Sequence, residues 1–476
     1  MQKDLEVFKN IRIQANSGLY KYRTEKEIDS IYQWASQQTE KVASYRDFFN
    51  LLCVLTDFEG SLHNDTALPK KMQLELMEET QGYFPYPIKW IEGKWIVNYE
   101  TDDIPLGSEI LSVNGTAISE IIKSLGIYYT TDGKNLSGKT IGLQRHFSRY
   151  YRLWFGARKN FTLTYTVPHE DSILEKTIKS VGYKTYYKNV RTRFSKPFDK
   201  GFYKDWNENN SYTFTTIGKN TGLLTVNSFS LGNAESDEHK RYVQFLDSIF
   251  TNMKRDDTKN LIVDVRNNGG GTDPNDLVTY SYMTDRDFRE NRQAWISFGK
   301  IPLLRYVYSK VPKFLRPLGV GKYNKMFQKE FPNKEGNKYF QSAASSDKMI
   351  RNPRDNAFTG TIYLLISPRI ASAGSLFAAM LAGNDNTIVI GEETMGGYYG
   401  HNGHNPLGYT LPKSRISVFF SVVNLEQDVP VKENQQYGRG IIPHHNVSQT
   451  YEDYLTHTDT QMNYVLKLIK NQQISK

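Results

Sequence analysis

Apolar residues along positions 3–55 recur three or four places apart, as at Ile28, Ile31 and Ala35. This spacing is that of one face of an amphipathic helix. The pattern therefore predicts a helical N-terminal region over residues 1–80.

The period changes near Tyr83, where aromatic and β-branched residues begin to alternate with polar ones. Alternation of this kind is typical of strands, and turns are expected at Glu92–Lys94 and Asn114–Gly115. A short helix is predicted at Ile118–Leu125. Residues 81–170 are thus expected to form a separate strand-rich module.

The rest of the chain, residues 171–476, has the pattern of a βα-type core. Asn260–Val265 and Thr361–Ser367 are continuous apolar runs of strand length, which is typical of strands buried on both faces. A helix with one apolar face is predicted after Ser236, and a helix of small residues at Ser372–Leu381 leads to a third apolar run.

An unusually long stretch, Thr272–Gly360, separates the first two buried strands. It contains an insertion, at about residues 290–345, that is both basic and apolar. It is interpreted either as a surface insertion packed on the core or as a lid, because long loops in compact domains are often functional. Pro302 and Pro312 interrupt any helix that could lie on a membrane surface.

Composition limits the partners and the compartment. The 60 Lys and Arg residues exceed the 51 Asp and Glu residues and give a net charge of +9 over 476 residues. These charges are dispersed and no recognition motif accompanies them, so nucleic acid is not an expected partner. The 13% aromatic content argues against disorder.

No apolar run reaches the roughly 18 residues of a membrane span, so no stable membrane insertion is expected. The polar residues 1–10 lack the apolar segment of a signal peptide. Both a cytoplasmic protein and an exported, periplasmic or cell-envelope protein whose leader has been removed fit this pattern. The lone Cys53 excludes an intramolecular disulfide and lies in an apolar stripe, where we expect it in the core.

Two segments that follow buried strands are candidates for chemistry. After the first strand come Asp264, Arg266 and three consecutive glycines, which allow a sharp turn and close approach of the backbone to a ligand. After the second come Ser372 and Ser375 at the start of a helix. Each serine is either an N-cap or a nucleophile placed beside the N–H groups of the helix.

A third candidate is a glycine-rich loop that contains His401 and His404. Two histidines three positions apart can ligate a metal, but no carboxylate cluster with ligand spacing accompanies them in the sequence. Neither a metal nor a cofactor is therefore expected.

In their order along the chain, three motifs resemble the peptidase core of the C-terminal processing (tail-specific) protease family, which includes the tricorn core. They are Asp264–Gly271, Ser372–Ser375 and Gly391–Gly396. The upstream sequence PLGSEILSVNG is similar to the PDZ signature that precedes this core. The N-terminal helices resemble those of exported members from Bacteroidetes-like bacteria. The resemblance implies an α+β and α/β multidomain fold, with a crotonase- or ClpP-like core, a PDZ-like module and a helical N-terminal region.

The resemblance also implies a reaction, the hydrolysis of peptide bonds in a peptide or protein substrate by a serine nucleophile. Ser372 would attack the scissile carbonyl. The N–H of Ala373 and that of Gly270 or Gly271 would hold the developing oxyanion. The oligomeric state does not follow, because family members range from monomers to rings.

The general base is where this chain departs from the family. The processing-protease branch has a lysine after the last motif, but here that place is taken by Gly397, which has no side chain to accept a proton. The tricorn-like branch uses an N-terminal histidine, and His63 is the corresponding candidate. His401 is the alternative base and Lys413 a third candidate.

A histidine base needs a partner that fixes its tautomer. Glu59 and Ser61 are close to His63 in sequence, and Glu433 matches loosely the C-terminal glutamate of the tricorn-like branch. Two other functions remain open: a non-catalytic protein that binds peptides or hydrophobic ligands on the same scaffold, and an esterase or acyl-transfer enzyme that uses the same serine.

Overall fold

Three sheets organise the chain in the computed structural model. It describes residues 1–170, 172–196, 211–218, 220–308 and 316–474, with side chains described up to 471 and not over 316–319. The architecture is mixed α/β, as the sequence predicts. Thirteen helices lie in these described ranges: α1 (Gln2–Ala15), α2 (Glu25–Thr39), α3 (Tyr45–Phe58), α4 (Lys70–Glu78), α5 (Ile118–Leu125), α6 (Ser137–Phe155), α7 (Tyr183–Arg191), α8 (Asp237–Arg255), α9 (Asn275–Ser281), α10 (Arg316–Glu330), α11 (Ala373–Ala382), α12 (Tyr451–Leu455) and α13 (Thr460–Ile474).

The strands of the described residues divide among the three sheets. They are β1 (Asp65–Ala67), β2 (Ile88–Ile91), β3 (Lys94–Val97), β4 (Glu109–Val113), β5 (Thr116–Ala117), β6 (Asn160–Thr166), β7 (Ile173–Lys179), β8 (Tyr212–Ile217), β9 (Thr221–Val226), β10 (Asn260–Asp264), β11 (Asn291–Ile296), β12 (Asn333–Glu335), β13 (Lys338–Phe340), β14 (Thr361–Ile366), β15 (Thr387–Gly391), β16 (Asn402–Thr410), β17 (Ser417–Gln427) and β18 (His445–Asn446).

The N-terminal residues form the predicted helices, each with a local reason to begin where it does. Thr24 and Glu27 make a reciprocal capping box at the start of α2, and the Ser44 side chain accepts the Asp47 N–H at the start of α3. Cys53 is buried in α3 and contributes to the core, as expected. The region also supplies β1, which pairs with β17, so it is built into the neighbouring sheet.

The first sheet is antiparallel, in the order β2–β3–β4–β6–β7, with β5 on β4. It extends to Lys179, past the expected module boundary at residue 170, and the helix predicted at Ile118–Leu125 is present as α5. Its buried residues share one hydrophobic cluster with the N-terminal helices and with β11, β16 and β17. That this module is PDZ-like stays a prediction.

The second sheet has the order β18–β15–β14–β10–β9–β8, and its strands are parallel except β8. The strands β10 and β14 are the two apolar runs predicted to be buried on both faces, and each of their residues is at least partly buried. Helices α8, α9 and α11 cover one face and α13 the other. This layering places the carboxyl ends of β10, β14 and β15 along one edge.

The third sheet is antiparallel, in the order β1–β17–β11–β13–β12, with β16 also on β17. The strands β11, β12 and β13 come from the region predicted to be an insertion, and β11 pairs directly with β17. This part of the insertion is therefore sheet, because Ala294 and Ile296 pack into the core. The proposed lid includes residues 309–315, which lie outside the described residues.

None of the helices in the described ranges is long and apolar enough to cross a lipid bilayer.

Candidate active site

Three loops meet at the carboxyl edge of the second sheet. The glycine loop (residues 266–273) follows β10, a loop ending in Ser372 follows β14, and residues 392–397 follow β15. Because these strands are parallel neighbours, segments far apart in sequence lie together at this edge.

The charged residues at the start of the glycine loop hold it in place. The Arg266 guanidinium donates to Asp264, with Nε–Oδ1 2.9 Å and Nη2–Oδ2 2.7 Å. It also donates two hydrogen bonds to Asp459, of 2.7 and 2.8 Å. Bidentate pairs of this kind fix geometry as well as charge. These two motif residues thus anchor the loop on α13.

Ser372 occupies the N-cap position of α11 with a backbone that few non-glycine residues adopt, φ +53° and ψ −135°. Its side chain makes no capping hydrogen bond. Among the described residues its hydroxyl has no hydrogen-bond partner, whereas the Ser375 hydroxyl donates to the Ser372 carbonyl at 2.8 Å. Strained backbone of this kind recurs at functional sites. The hydroxyl of Ser372 is thus not used as a cap.

The glycine loop packs directly against Ser372. Gly270 has φ +102°, and a Cβ there would lie 2.7 Å from the Ser372 Cβ and 3.1 Å from the Ala373 nitrogen. The Gly270 N–H is already bonded to the Asn268 Oδ1 at 2.9 Å, which removes Gly270 as a free oxyanion donor. The N–H groups of Gly271 and Ala373 donate to no described residue.

The place of the family lysine is closed in this structure. The Gly397 N–H donates to the Asp132 Oδ2 at 3.1 Å, and a Cβ at Gly397 would lie 2.9 Å from the Gly400 carbonyl oxygen. A lysine here would have to displace this backbone.

His63 and His401, the two candidate bases, lie together. Their ring centroids are 5.2 Å apart and their planes are at 27°. Burial lowers the pKa of His63 to about 4, with a further lowering by the charge of His404 and an opposing effect of the Asn402 backbone. Burial and then His63, Lys21 and His404 hold the pKa of His401 well below its usual value.

Both rings are thus neutral near pH 7, as a proton acceptor must be. No hydrogen bond joins either ring to Ser372 in the part of the chain that the structure describes. His63 is partly exposed to solvent, whereas His401 is buried, with only 3% of its surface exposed.

The second histidine of the glycine-rich loop has carboxylate neighbours, which corrects the sequence-based expectation. His404 Nε2 lies 3.0 Å from the Glu290 Oε1, and Asp273 is in the same group. Burial lowers the pKa of His404, but the hydrogen bond and charge of Glu290, with Asp347 and Asp273, raise it to about 10. The acids come from distant loops, so no local spacing could reveal them.

The candidate orienting residues are placed differently from one another. Glu59 is buried and accepts from Arg12, from Asn16 at 3.0 Å and from Asn64 at 2.8 Å, so its oxygens are engaged in a structural network. Ser61 is buried, and its hydroxyl has no hydrogen-bond partner among the described residues.

Glu433 is exposed and pairs with none of the described residues. The third candidate base, Lys413, is also exposed, and only its backbone N–H is engaged, with Asp4. The structure brings neither residue into a bond with His63.

Two buried charged groups near the histidines were missed by sequence reasoning. Asp132 accepts the N–H groups of Leu62 at 3.0 Å and Gly397 at 3.1 Å, and so links the segment before His63 to the third motif. Burial raises the pKa of Asp132 to about 7, against the effect of those two N–H groups.

Lys21 is the other missed group. Its Nζ donates to the Asn424 Oδ1 and to the Leu425 carbonyl, and burial lowers its pKa to about 8. Neither Asp132 nor Lys21 lies in a recognisable motif, so only the fold could reveal them.

A cleft of about 500 Å³ opens at the same sheet edge. One wall is Arg266, Asn267 and the segment Ser367–Arg369, and the other is the hairpin Lys89–Gly93 of the first sheet together with Gln144 of α6. Clefts of this size suit extended or small ligands. Arg369 lines this cleft, whereas Ser372, three residues later in the chain, is not among its lining residues.

Residues 220–419 match the model of peptidase family S41. This range includes all three motifs of the sheet edge. No curated protein sequence matches the chain.

Among solved structures, mature CPAF complexed with lactacystin aligns with a TM-score of 0.59 and 14% identity, over 99% of this chain and 98% of that chain. Mature CPAF aligns at 0.56 and 15%, over 95% and 93%. The photosystem II D1 C-terminal processing protease aligns at only 0.38 and 13%, over 94% and 92%, too weakly for an argument. The CPAF likeness concerns the fold.

Residues 220–419 match peptidase family S41, which supports a C-terminal processing protease family, and the three motifs in this range are those of a serine-type peptidase.

Proposed function

We propose that the chain hydrolyses peptide bonds with Ser372 as the nucleophile. The observation that carries this proposal is the N-cap position of Ser372, with φ +53° and a hydroxyl that neither caps α11 nor bonds elsewhere among the described residues. A serine that only stabilised the helix would accept an N–H of the first turn. A nucleophile must instead present its hydroxyl to the substrate.

The oxyanion would be held by the N–H groups of Ala373 and Gly271. Ala373 is the first residue of α11, so its N–H has no intrahelical acceptor. Gly271 follows Gly270, whose own N–H is taken by Asn268. Removal of one such donor lowers kcat by roughly 10²–10³ in other serine enzymes.

His63 serves as the general base in this proposal. Its ring is neutral near pH 7 and is partly exposed, so it can approach Ser372 when a substrate closes the site. The His401 ring stacks on the His63 ring and limits its movement. Asp132 acts as a positioning residue through the Leu62 N–H.

The attack transfers the Ser372 proton to His63, and the scissile carbonyl becomes an oxyanion at the two N–H groups. Collapse of this intermediate breaks the peptide bond, and His63 returns the proton to the leaving amine. Water then attacks the carbonyl of the acyl-enzyme while His63 accepts its proton. The bond to Ser372 breaks, and the proton returns to the Ser372 oxygen. The orienting partner of His63 would be Ser61, whose buried hydroxyl has no hydrogen-bond partner among the described residues, or the exposed Glu433.

The substrate is proposed to lie in the cleft between the second sheet and the β2–β3 hairpin. Residues 81–170 would then act as a PDZ-like module that adds a substrate strand. Its antiparallel sheet supports this idea, as does the contribution of Lys89–Gly93 to the cleft wall.

Hydrolysis of an unfolded protein tests the proposal. Wild type should digest fluorescently labelled casein, and Ser372→Ala should lower the rate at least 10³-fold. Ser375→Ala, on the same helix, is the matched control and should keep most of the activity. Digestion that survives Ser372→Ala would contradict the assignment, and wild type that binds casein without cleaving it would favour a binding protein.

A further inference from the structure

A buried group of acids beside His404 is not used by the proposed mechanism. The ligand atoms of Asp273, Glu290 and His404 all lie within 4.8 Å of one another. Asp273 ends the glycine loop, Glu290 immediately precedes β11, and His404 lies in β16. The glycine loop and the third sheet therefore meet at these three side chains.

A third acid, Asp276, and Glu290 itself have buried oxygen atoms without protein partners in the part of the chain that the structure describes. Asp276 is fully buried, and among the described residues its carboxylate oxygens have no hydrogen-bond partner beyond weak contacts with the backbone N–H groups of Leu277 and of Asp276 itself. The Oε2 of Glu290 is also buried without a partner, and only 1% of Glu290 is exposed. A buried carboxylate without a partner is costly, so such atoms need an unseen one.

Asp276, in the first turn of α9, lies close enough to Asp273 and Glu290 for their charges to act on it. The charges of Asp273 and Glu290, after burial itself, raise its pKa well above the usual value. The three carboxylates face one imidazole, and Asp347 adds a further acid while Arg351 adds a cation near Asp273.

We propose that Asp273, Glu290 and His404, with Asp276 beside them, bind one divalent transition-metal cation such as Zn²⁺ or Mn²⁺. One imidazole nitrogen with two or three carboxylate oxygens is a donor set that suits these ions. Ca²⁺ fits less well, because it takes six to eight oxygen ligands.

The cation would join the glycine loop to the third sheet. Asp273 is two residues beyond Gly271, the proposed oxyanion donor, whereas Glu290 and His404 belong to the opposite side. Its role is then to order the loop, and it takes no part in bond cleavage. The site stands on its own geometry and does not depend on the peptidase mechanism.

Calorimetric titration of the full chain, stripped of metal, with ZnCl₂ and MnCl₂ tests the site. Wild type should bind one ion per chain with at least one of the two metals. Glu290→Gln and Asp276→Asn should each weaken this binding about tenfold or more. Glu335→Gln, at an exposed carboxylate of β12, is the matched control and should bind as wild type does, as should Ser372→Ala.

X-ray absorption of the Zn²⁺-loaded wild type removes the dependence on variants that could fail to fold. The proposal predicts one imidazole nitrogen and otherwise oxygen ligands. The absence of saturable binding, binding that both variants leave unchanged, or a spectrum with two or more imidazoles would overturn it.

Discussion

The imidazole rings of His63 and His401 stack with centroids 5.2 Å apart, although the two residues are more than 300 positions apart in the chain. His63 comes from the loop after α3, and His401 immediately precedes β16. The pair therefore joins the N-terminal region to the loop that follows the third motif. Both residues are candidate bases in the sequence, and the fold brings them into contact.

Replacing each of the two histidines in turn distinguishes the general base from a residue that only packs against it. His63→Ala should lower kcat/KM by about 10²–10⁴, because the serine loses its proton acceptor. His401→Phe keeps an aromatic ring against His63 and should lower kcat/KM less than about tenfold. Steady-state peptide hydrolysis measures both effects.

The reverse ranking would assign the base to His401. Circular dichroism of each variant serves as the control for folding. Equal losses in two folded variants would contradict a single base.

The pH profile should report an unusually acidic base. Burial lowers the pKa of His63 to about 4, from the usual value of 6.5. The charged and titratable groups around the pair are His401, His404 and Lys21. Since the neutral ring is the active form, kcat/KM should stay level as pH falls from 8 to about 5, and should decline near 4.

Initial rates across this range, with circular dichroism at each pH, provide the measurement. An acidic limb centred between pH 6 and 7 in folded protein would be inconsistent with a His63 base whose pKa is about 4.

Glu59 should prove structural although it is close to His63 in sequence. Its oxygens accept from Arg12, Asn16 and Asn64, and both Glu59 and Arg12 are almost completely buried. Glu59→Gln leaves the buried Arg12 charge uncompensated and should lower the free energy of unfolding by about 3–5 kcal/mol. Urea denaturation measures this loss.

The exposed pair between Lys184 and Glu78 offers the control, because Glu78→Gln should cost less than about 1 kcal/mol. Folded Glu59→Gln should keep kcat within about threefold. A large fall in kcat at unchanged stability would instead identify Glu59 as the orienting group.

Neighbouring glycines in the glycine loop should respond differently to a methyl group. A Cβ at Gly270 would lie 2.7 Å from the Ser372 Cβ, on a backbone with φ +102°. Gly270→Ala should therefore displace the loop and lower kcat/KM by about 10², the usual cost of misplaced reacting groups. Gly269→Ala meets nothing within 4 Å and should remain near wild type.

Peptide hydrolysis by the two variants makes the comparison, with thermal unfolding as the control. Equal activities would show that the contact between the glycine loop and Ser372 does not matter.

The buried strands could be predicted from the sequence because the local run of apolar residues is itself the signal for a strand. The runs Asn260–Val265 and Thr361–Ser367 became β10 and β14 almost as expected, since continuous β-branched and aliphatic residues fit only a strand covered on both faces. The helix after Ser236 followed for a similar reason, because its apolar face repeats at helical spacing.

Contacts between distant segments could not be predicted. The acids around His404 come from the glycine loop and from the residue before β11, and Asp132 reaches Leu62 and Gly397 from a loop before α6. No local sequence pattern encodes contacts of this kind. The place of β11 in the third sheet could not be predicted either, because β11 pairs with β17, a strand far along the chain.

The most direct test of the account is to map the residue that a fluorophosphonate probe modifies. The probe reacts with an activated serine, so intact wild type should acquire one adduct, and peptide mass spectrometry should locate it on Ser372. Ser372→Ala should show no adduct, whereas Ser375→Ala should be labelled. An adduct on any other residue, or labelling that persists in Ser372→Ala, would contradict the assignment of Ser372 as the nucleophile.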